Sequence, residues 1–126
     1  MISVKKPILA LCLSLFSSLC WAPPADTVSI TGFRRPLGYQ QLTNAMLQTQ
    51  VSLTIPALPA GSRGPGFAVI QCQGGVVRWR DDGQGPTATV GMVIPSGGEL
   101  DYVGQINLIQ FISSSGTPIC DVSLYE

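Results

Sequence analysis

The densest group of reactive side chains in the sequence is the run Arg78-Trp-Arg-Asp-Asp-Gly83. Arg78 and Arg80 are two positions apart, so on an extended strand both side chains point to the same face. Two guanidinium groups on one face could bind a carboxylate or a phosphate, because arginine donates paired hydrogen bonds to such anions. In the structural alternative the arginines pair with Asp81, Asp82 or a neighbouring strand, while Trp79 fills the core. Ion pairs across strands are common in sheets, and they favour this structural interpretation.

The adjacent carboxylates Asp81 and Asp82 are candidates for a catalytic acid–base pair. Adjacent residues of a strand point to opposite faces, however, so these two groups would not meet over one substrate. The run Asp-Asp-Gly is also common at turns, where Asp bonds to its own backbone and Gly adopts a positive φ. We therefore predict a turn here, and we assign no catalytic, cofactor-binding or metal-binding residue.

The composition gives little support to an enzyme. The 126 residues contain no His, which removes the commonest general base and a principal zinc ligand. The sequence contains no Cys-x-x-Cys pair and no glycine-rich phosphate-binding motif. An active site would have to rest on Asp, Glu, Tyr or Ser alone, so we expect a non-enzymatic protein without a cofactor.

The amino-terminal residues 1–25 have the layout of a secretory signal peptide. A basic start is followed by an apolar run from Ile8 to Leu19 and then by small residues. The run is shorter than the about 20 apolar residues that a membrane-spanning helix needs. The cleavage signal is imperfect, because Pro23 lies directly after one candidate cut and three residues before the other. We expect a hydrophobic leader here, followed by one domain at residues 26–126. The leader is either cleaved, retained as an anchor, produced by a mis-assigned start or folded as a buried arm.

The charge of the domain argues against nucleic acid as a partner. Both lysines lie in the leader, so residues 26–126 keep five of the seven basic residues and all seven acidic ones, a net charge of −2. A weakly acidic domain gains little from counterion release on a nucleic acid. We expect neither nucleic acid nor a membrane to bind the domain itself.

The four cysteines divide into two pairs. Cys12 and Cys20 lie in the leader, whereas Cys72 and Cys120 lie in two predicted strands, 48 positions apart. In an exported domain with these strands adjacent, a disulfide between Cys72 and Cys120 would add about 2–4 kcal/mol of stability. Two buried free thiols are the alternative for a protein assembled in the cytoplasm.

Short apolar–polar alternations separated by turn signals run through the domain. Gly and Pro make up 24 of the 126 residues, too many for a helical protein. Gly74-Gly75 can supply the positive φ angles of a hairpin turn. Recognition would fall to the loops at residues 56–66 and 83–89. The predicted strands lie at residues 38–42, 51–55, 67–73, 76–80, 90–94, 100–103, 106–113 and 119–125.

These strands predict an all-β fold, a single antiparallel β-sandwich or jelly-roll-like domain of seven or eight short strands. Val77 and Trp79 form the apolar face of one strand, and Ile109 and Phe111 form a matching pair on a later one. We expect Trp79 and Phe111 in the core.

Residues 36–126 resemble a set of small proteins encoded by tailed bacteriophages and prophages. The most specific part is the run Arg-Trp-Arg-Asp-Asp-Gly with its spacing from Gly91-Met92. The resemblance implies an accessory virion component with a structural role and no enzymatic activity, and it transfers no catalytic or ligand residues. The hydrophobic leader departs from this pattern. The runs that carry the resemblance are Pro36-Leu-Gly-Tyr-Gln-Gln-Leu42, Val77-Arg-Trp-Arg-Asp-Asp-Gly83, Pro86-Thr-Ala-Thr-Val-Gly-Met92, Leu100-Asp-Tyr-Val-Gly104, Leu108-Ile-Gln-Phe-Ile112 and Val122-Ser-Leu-Tyr125.

The sequence and the resemblance together predict a phage or prophage accessory structural protein, located in the virion. It would serve as capsid decoration or as a head–tail or tail component, in contact with other virion proteins and as a homo-oligomer. Virion parts assemble in the cytoplasm, which favours free thiols at Cys72 and Cys120. The alternative is an exported β-sandwich module that binds a small anionic or sugar ligand, secreted or periplasmic after removal of the leader.

Overall fold

A computed structural model describes residues 34–126, and the predicted leader at residues 1–25 lies outside this part. The described residues form strands and one short 3-10 turn, Met46–Gln48. The prediction of an all-β fold is confirmed. No helix in the described part is long and apolar enough to cross a membrane. The strands are β1 (Pro36–Leu42), β2 (Val51–Ser52), β3 (Phe67–Arg80), β4 (Met92–Ile94), β5 (Glu99–Val103) and β6 (Gln110–Tyr125).

All six strands belong to one antiparallel sheet built around its two long strands. β3 and β6 pair with each other from Phe67↔Tyr125 to Arg80↔Gln110. Two short strands then lie along the free side of each: β1 and β2 along β6, and β5 and β4 along β3. The central pair therefore positions every other element of the domain.

The predicted hairpin turn at Gly74-Gly75 is wrong. The two strands predicted at residues 67–73 and 76–80 are one continuous strand, β3. In the same way, residues 119–125 join through residues 114–118 with residues 110–113, the second half of the strand predicted at 106–113, to form β6. Residues 106–109, predicted as strand, lie outside it. The described residues consequently contain six strands where the sequence predicted seven or eight.

The glycines that suggested a turn form bulges instead. The register between β3 and β6 shifts between Gln73 and Gly75 and again between Val76 and Val77. Gly74 has φ of 79°, and Gly116 on the opposite strand has φ of 73°. A Cβ atom on Gly116 would lie 2.7 Å from the carbonyl oxygen of Gly74, so no side chain fits at this crossing. Bulges of this kind bend the strands without reversing the chain.

The bulges also change which residues of β3 face the core. Ala68, Ile70 and Cys72 are buried before the bulges, whereas Val77 and Trp79 are buried after them. The buried positions of β3 thus change from even-numbered to odd-numbered residues, so both ends of β3 contribute to one core. The extra residues themselves lie in β6, where residues 113–119 are opposite residues 73–77 of β3. Trp79 lies opposite Phe111 in the register, and both are buried, as predicted. The core is completed by Leu42, Leu47, Leu53, Ile94, Tyr102, Ile106, Ile109, Cys120, Val122 and Leu124.

Two aromatic rings near opposite ends of β3 contact each other, that of Trp79 on β3 and that of Tyr102 on β5. Tyr102 on β5 pairs with Ala68 near the start of β3. Its ring centroid nevertheless lies 5.8 Å from that of Trp79, at an interplanar angle of 78°. Eleven residues of straight strand would separate Ala68 from Trp79 by about 36 Å. β3 therefore bends sharply at its bulges.

Two further predicted strands are shorter in the structure because local contacts take up their backbone hydrogen-bonding groups. Only Val51–Ser52 remains of the strand predicted at 51–55, since Gln40 takes both backbone groups of Thr54, at 3.0 and 3.1 Å. The strand predicted at 90–94 begins at Met92, because Val90 closes a turn with Thr87.

Candidate functional site

Arg78 lies on the outer face of β3, the face turned away from the core, and holds a neighbouring loop. Its Nε donates to the carbonyl oxygen of Ala88 at 3.1 Å and to Oγ of Ser114 at 3.4 Å. Its Nη1 donates to the carbonyl oxygen of Gly91 at 2.9 Å. The Ser114 hydroxyl donates to the same Ala88 oxygen at 2.7 Å. Arg78 thus connects β3, β6 and residues 83–91, which we call the 83–91 loop.

The 83–91 loop is fixed at several further points. Thr87 and Val90 exchange backbone hydrogen bonds of 2.9 and 3.3 Å, and Oγ1 of Thr87 accepts the N–H of Val90 at 3.0 Å. Gln50 donates to the carbonyl oxygen of Pro86 at 3.0 Å, and Pro86 is fully buried. The loop therefore has a fixed base, while residues 87–90 at its tip are exposed.

Arg80 pairs with Asp82 at the end of β3. Nε donates to Oδ1 at 3.1 Å, and Nη2 donates to Oδ2. The hydrogen bond from Arg80 holds the pKa of Asp82 below its usual value, with a further contribution from the backbone N–H of Gln84. The charge of Arg80 is thereby matched by a carboxylate of its own chain.

Asp81 has a different partner. It accepts a hydrogen bond of 3.0 Å from the hydroxyl of Tyr102. Burial, together with this bond to a carboxylate, raises the pKa of Tyr102 to about 12. The bond ties the end of β3 to β5, and so supports the same bend as the ring contact between Trp79 and Tyr102.

The structure brings three of the four charged residues of this run to one hollow. A cavity of about 210 Å³ lies between Trp79, Arg80, Asp81, Asp82 and Met92. Arg78 is not part of it, because its guanidinium is directed to the 83–91 loop. The cation in the hollow is bound to Asp82, and a second carboxylate lies beside it, so an anion finds no unmatched positive charge there.

Cys72 and Cys120 face each other on β3 and β6 and are joined by a disulfide, with Cα atoms 4.1 Å apart. The backbone N–H and C=O of Cys72 bond to Gly98 and Gly97, at 3.0 and 2.7 Å, on the side away from β6. The cysteines therefore form a non-hydrogen-bonded pair, the type in which opposite side chains are closest. The structure differs here from the free thiols that the sequence favoured, because β3 and β6 are neighbours and the sequence alone does not give strand order.

A row of polar side chains crosses the outer face of the sheet, and the sequence did not predict it. It consists of Gln41, Asp121, Gln71 and Glu99, which are successive partners on β1, β6, β3 and β5. Tyr39 and Gln41 both donate to Oδ1 of Asp121, at 2.5 and 2.9 Å, and Gln71 donates to Glu99. The hydrogen bond from Tyr39, and after it the one from Gln41, lowers the pKa of Asp121.

A cavity of about 290 Å³ lies beside the polar row. Gln71, Gln73, Glu99 and Asp121 line it, together with Cys72 and the turn at Gly97-Gly98. The two carboxylates accept hydrogen bonds from hydroxyl groups, and the two amides both accept such bonds and donate them, whereas the carboxylates repel anions. Each of these residues occupies an outward position of its strand, but only the register between strands brings them together.

The carboxylate of Glu126 organises the loop at residues 56–66. It pairs with Arg35 at 3.0 Å, accepts the N–H of Arg63 at 3.2 Å and also accepts the Ser62 hydroxyl. The hydrogen bond from Ser62 makes the largest contribution to a lowered pKa of Glu126. This contact also escaped the sequence analysis, since its members are up to 91 positions apart.

The described charged groups thus act mainly on their own chain, as tethers of loops and strand ends. Within residues 34–126, no three Cys, Asp or Glu side chains are grouped to hold a metal ion. Comparison of the chain with protein-family models, curated proteins and solved structures finds no match.

Proposed function

We propose that this protein is a non-enzymatic accessory structural component of a phage or prophage particle, acting through contacts with other virion proteins. Capsid decoration, a head–tail part and a tail part all fit this role. The observation that carries the proposal is the use of the reactive run 78–82: Arg78 binds carbonyl groups of the 83–91 loop, Arg80 binds Asp82, and Asp81 binds Tyr102. Side chains used in this way give a rigid surface. The resemblance of residues 36–126 to small phage proteins is the reason for proposing a phage particle as the place where the protein acts.

The proposal includes a finer statement about the fold, namely that the sheet folds over into a sandwich-like or jelly-roll-like module. The bend of β3 supports it, because Trp79 from one end of that strand packs on Tyr102 beside the other end. A folded-over sheet encloses its core between two halves of itself, as a sandwich does. A small, stiff module of this kind suits a part that is bound in many copies on a particle.

The alternative function is an exported module that binds a sugar. The cavity beside the polar row favours it, since Glu99, Asp121 and two glutamines suit hydroxyl groups better than the anionic ligand that the sequence also suggested. The disulfide between Cys72 and Cys120 favours an oxidising location. Disulfides also persist on virion surfaces, so the bond is compatible with both locations.

An add-back experiment tests the particle role. Particles are prepared from the encoding phage or prophage after deletion of the gene, and the purified protein is then titrated onto them. The proposal predicts saturable binding to these particles, and less binding to particles that already carry the protein. Absence of binding, together with a sugar affinity that Asp121→Asn removes and Asp101→Asn leaves intact, would replace the particle role by the alternative.

A further inference from the structure

β4 is an uncovered edge of the sheet that residues 34–126 form. It ends the strand order β1-β6-β3-β4, and within residues 34–126 no strand pairs with its outer side. Its neighbourhood is apolar as well as open, because Val90, Met92 and Val93 are 50%, 62% and 49% exposed. An exposed apolar edge strand is a template on which another strand can add by main-chain hydrogen bonds.

The chain segment that forms this edge contains no charged residue, and the nearby Arg78 guanidinium belongs to β3 and is bound to the Ala88 and Gly91 carbonyl groups. All sixteen residues from Gly83 to Gly98 are uncharged, and they include β4 and the 83–91 loop. Edge strands that must stay unpaired commonly carry charged residues or proline. β4 itself has neither.

The other edges of the sheet are protected against a second copy of the chain. Residues 54–56 pack against β1, where the Gln40 side chain binds both backbone groups of Thr54 and Pro56 lies 3.2 Å from the position that a Cβ on Gly38 would occupy. β5 exposes Glu99 and Asp101, which would meet like charges in a symmetric pairing. β2 has only two residues.

We propose that β4 is the self-association surface of this protein and that its occupant is β4 of a second copy, in antiparallel two-fold pairing. This inference rests on the proposed function and names the contact of its homo-oligomer. In a two-fold contact the same patch meets itself, so an uncharged edge is self-complementary where an acidic one is not. With the axis at the middle residue of β4, Val93 lies opposite Val93 of the second copy, and Met92 lies opposite its Ile94.

The surface is held in place before the copies meet. Arg78 fixes Gly91 directly before β4, and Val93 is the strand partner of Arg78 on β3. An edge that is already ordered loses little conformational entropy on binding. The strand is only three residues long, so we expect a dimer that dissociates in the micromolar range.

Paired charge variants test this contact. Sedimentation velocity of the purified protein, in the form that the cell produces, should show a dimer whose fraction grows with concentration. Val93→Lys and Val93→Glu should each raise the dissociation constant at least about tenfold, since one substitution places two like charges together. An equimolar mixture of the two variants should dimerise again, because the opposite charges then face each other. Val103→Lys is the control, as Val103 is 72% exposed but lies on β5.

The outcomes separate the contact from the particle role. A protein that stays monomeric up to millimolar concentration, or a dimer that Val93→Lys leaves unchanged, overturns the β4 contact, while add-back to particles still decides the particle role. Loss of dimer in both variants without recovery in the mixture also overturns it, because the substitutions would then act by damaging the fold. A dimer that follows the predicted pattern, in a protein that does not bind the particles, leaves the contact standing and removes the particle role.

Discussion

Arg78 illustrates how a residue that could bind a ligand is used inside the protein. Its position on the outer face of β3 follows from the alternation of the strand. Its function is decided by the 83–91 loop, which folds back so that the carbonyl oxygens of Ala88 and Gly91 face the guanidinium. The Arg78 guanidinium therefore stabilises the 83–91 loop at the surface, although the same group could have bound an anion there.

Arg78→Ala should loosen the 83–91 loop and lower the free energy of unfolding by about 1–3 kcal/mol, because the Gly91 and Ala88 carbonyl groups lose a charged donor. Urea denaturation measures the loss, and hydrogen exchange of residues 83–91 locates it. Arg80→Ala is the matched control, since its partner Asp82 is exposed and an ion pair to an exposed carboxylate contributes little to stability. An equal effect of both substitutions, or unchanged exchange in the loop, would contradict the tether.

Tyr102 gives a pH dependence with a definite sign. Its pKa is raised from 10.0 to about 12 in the folded protein, so the unfolded chain ionises first as the pH rises. The stabilisation from the neutral phenol is complete below pH 10 and declines between pH 10 and about 12. Tyr102→Phe should show a shallower loss of stability across this interval in urea denaturation. Identical alkaline profiles of the two proteins would disprove the burial of this phenol beside Asp81.

At the scale of elements, the glycine pair at the middle of β3 explains both the success and the failure of prediction from sequence. Alternation places Val77, Trp79 and Phe111 in the core correctly, because alternation is local. Gly74-Gly75 fits a hairpin turn and a bulge equally well, and the choice depends on Gly116, which is more than 40 positions away. For the same reason the polar row was not predicted and the disulfide stayed one of two alternatives, since both depend on strand order.

Gly116→Ala should destabilise the protein more than Gly61→Ala. Both glycines have positive φ, 73° and 81°, so an alanine at either site bears the same backbone cost of about 1–2 kcal/mol. At Gly116 the new Cβ would also lie 2.7 Å from the carbonyl oxygen of Gly74, whereas nothing lies within 4 Å at Gly61. In thermal unfolding, the free energy of unfolding of the Gly116→Ala variant should be at least about 1 kcal/mol lower than that of the Gly61→Ala variant. Equal values would mean that the crossing has room for a side chain.

The disulfide connects the two long strands on the same side of the bulges as β1 and β5. It closes a loop of 48 positions, so the double substitution Cys72→Ala with Cys120→Ala should reduce stability by about 2–4 kcal/mol. Guanidinium denaturation of the oxidised protein and of the double variant measures the difference. Denaturing alkylation that labels both thiols in freshly isolated protein would instead show that the native bond is absent.

At the scale of the whole molecule, one bent sheet accounts for a small domain in which most charged side chains of residues 34–126 hydrogen-bond to other groups of the same chain. The bend unites both ends of β3 in one core, and the disulfide fixes β3 to β6. The uncharged region from Gly83 to Gly98 then remains as the surface suited to another protein. Our proposal of a part that acts by contact with other proteins rests on these features.

Mass spectrometry of purified particles from the encoding phage or prophage tests the particle role most directly. We predict peptides from residues 36–126 in the particles, in a fixed ratio to the major capsid or tail protein. A non-reduced digest should contain the peptide pair joined through Cys72 and Cys120. Absence of the chain from purified particles, with recovery of a processed, soluble form from the periplasm, would contradict the particle role.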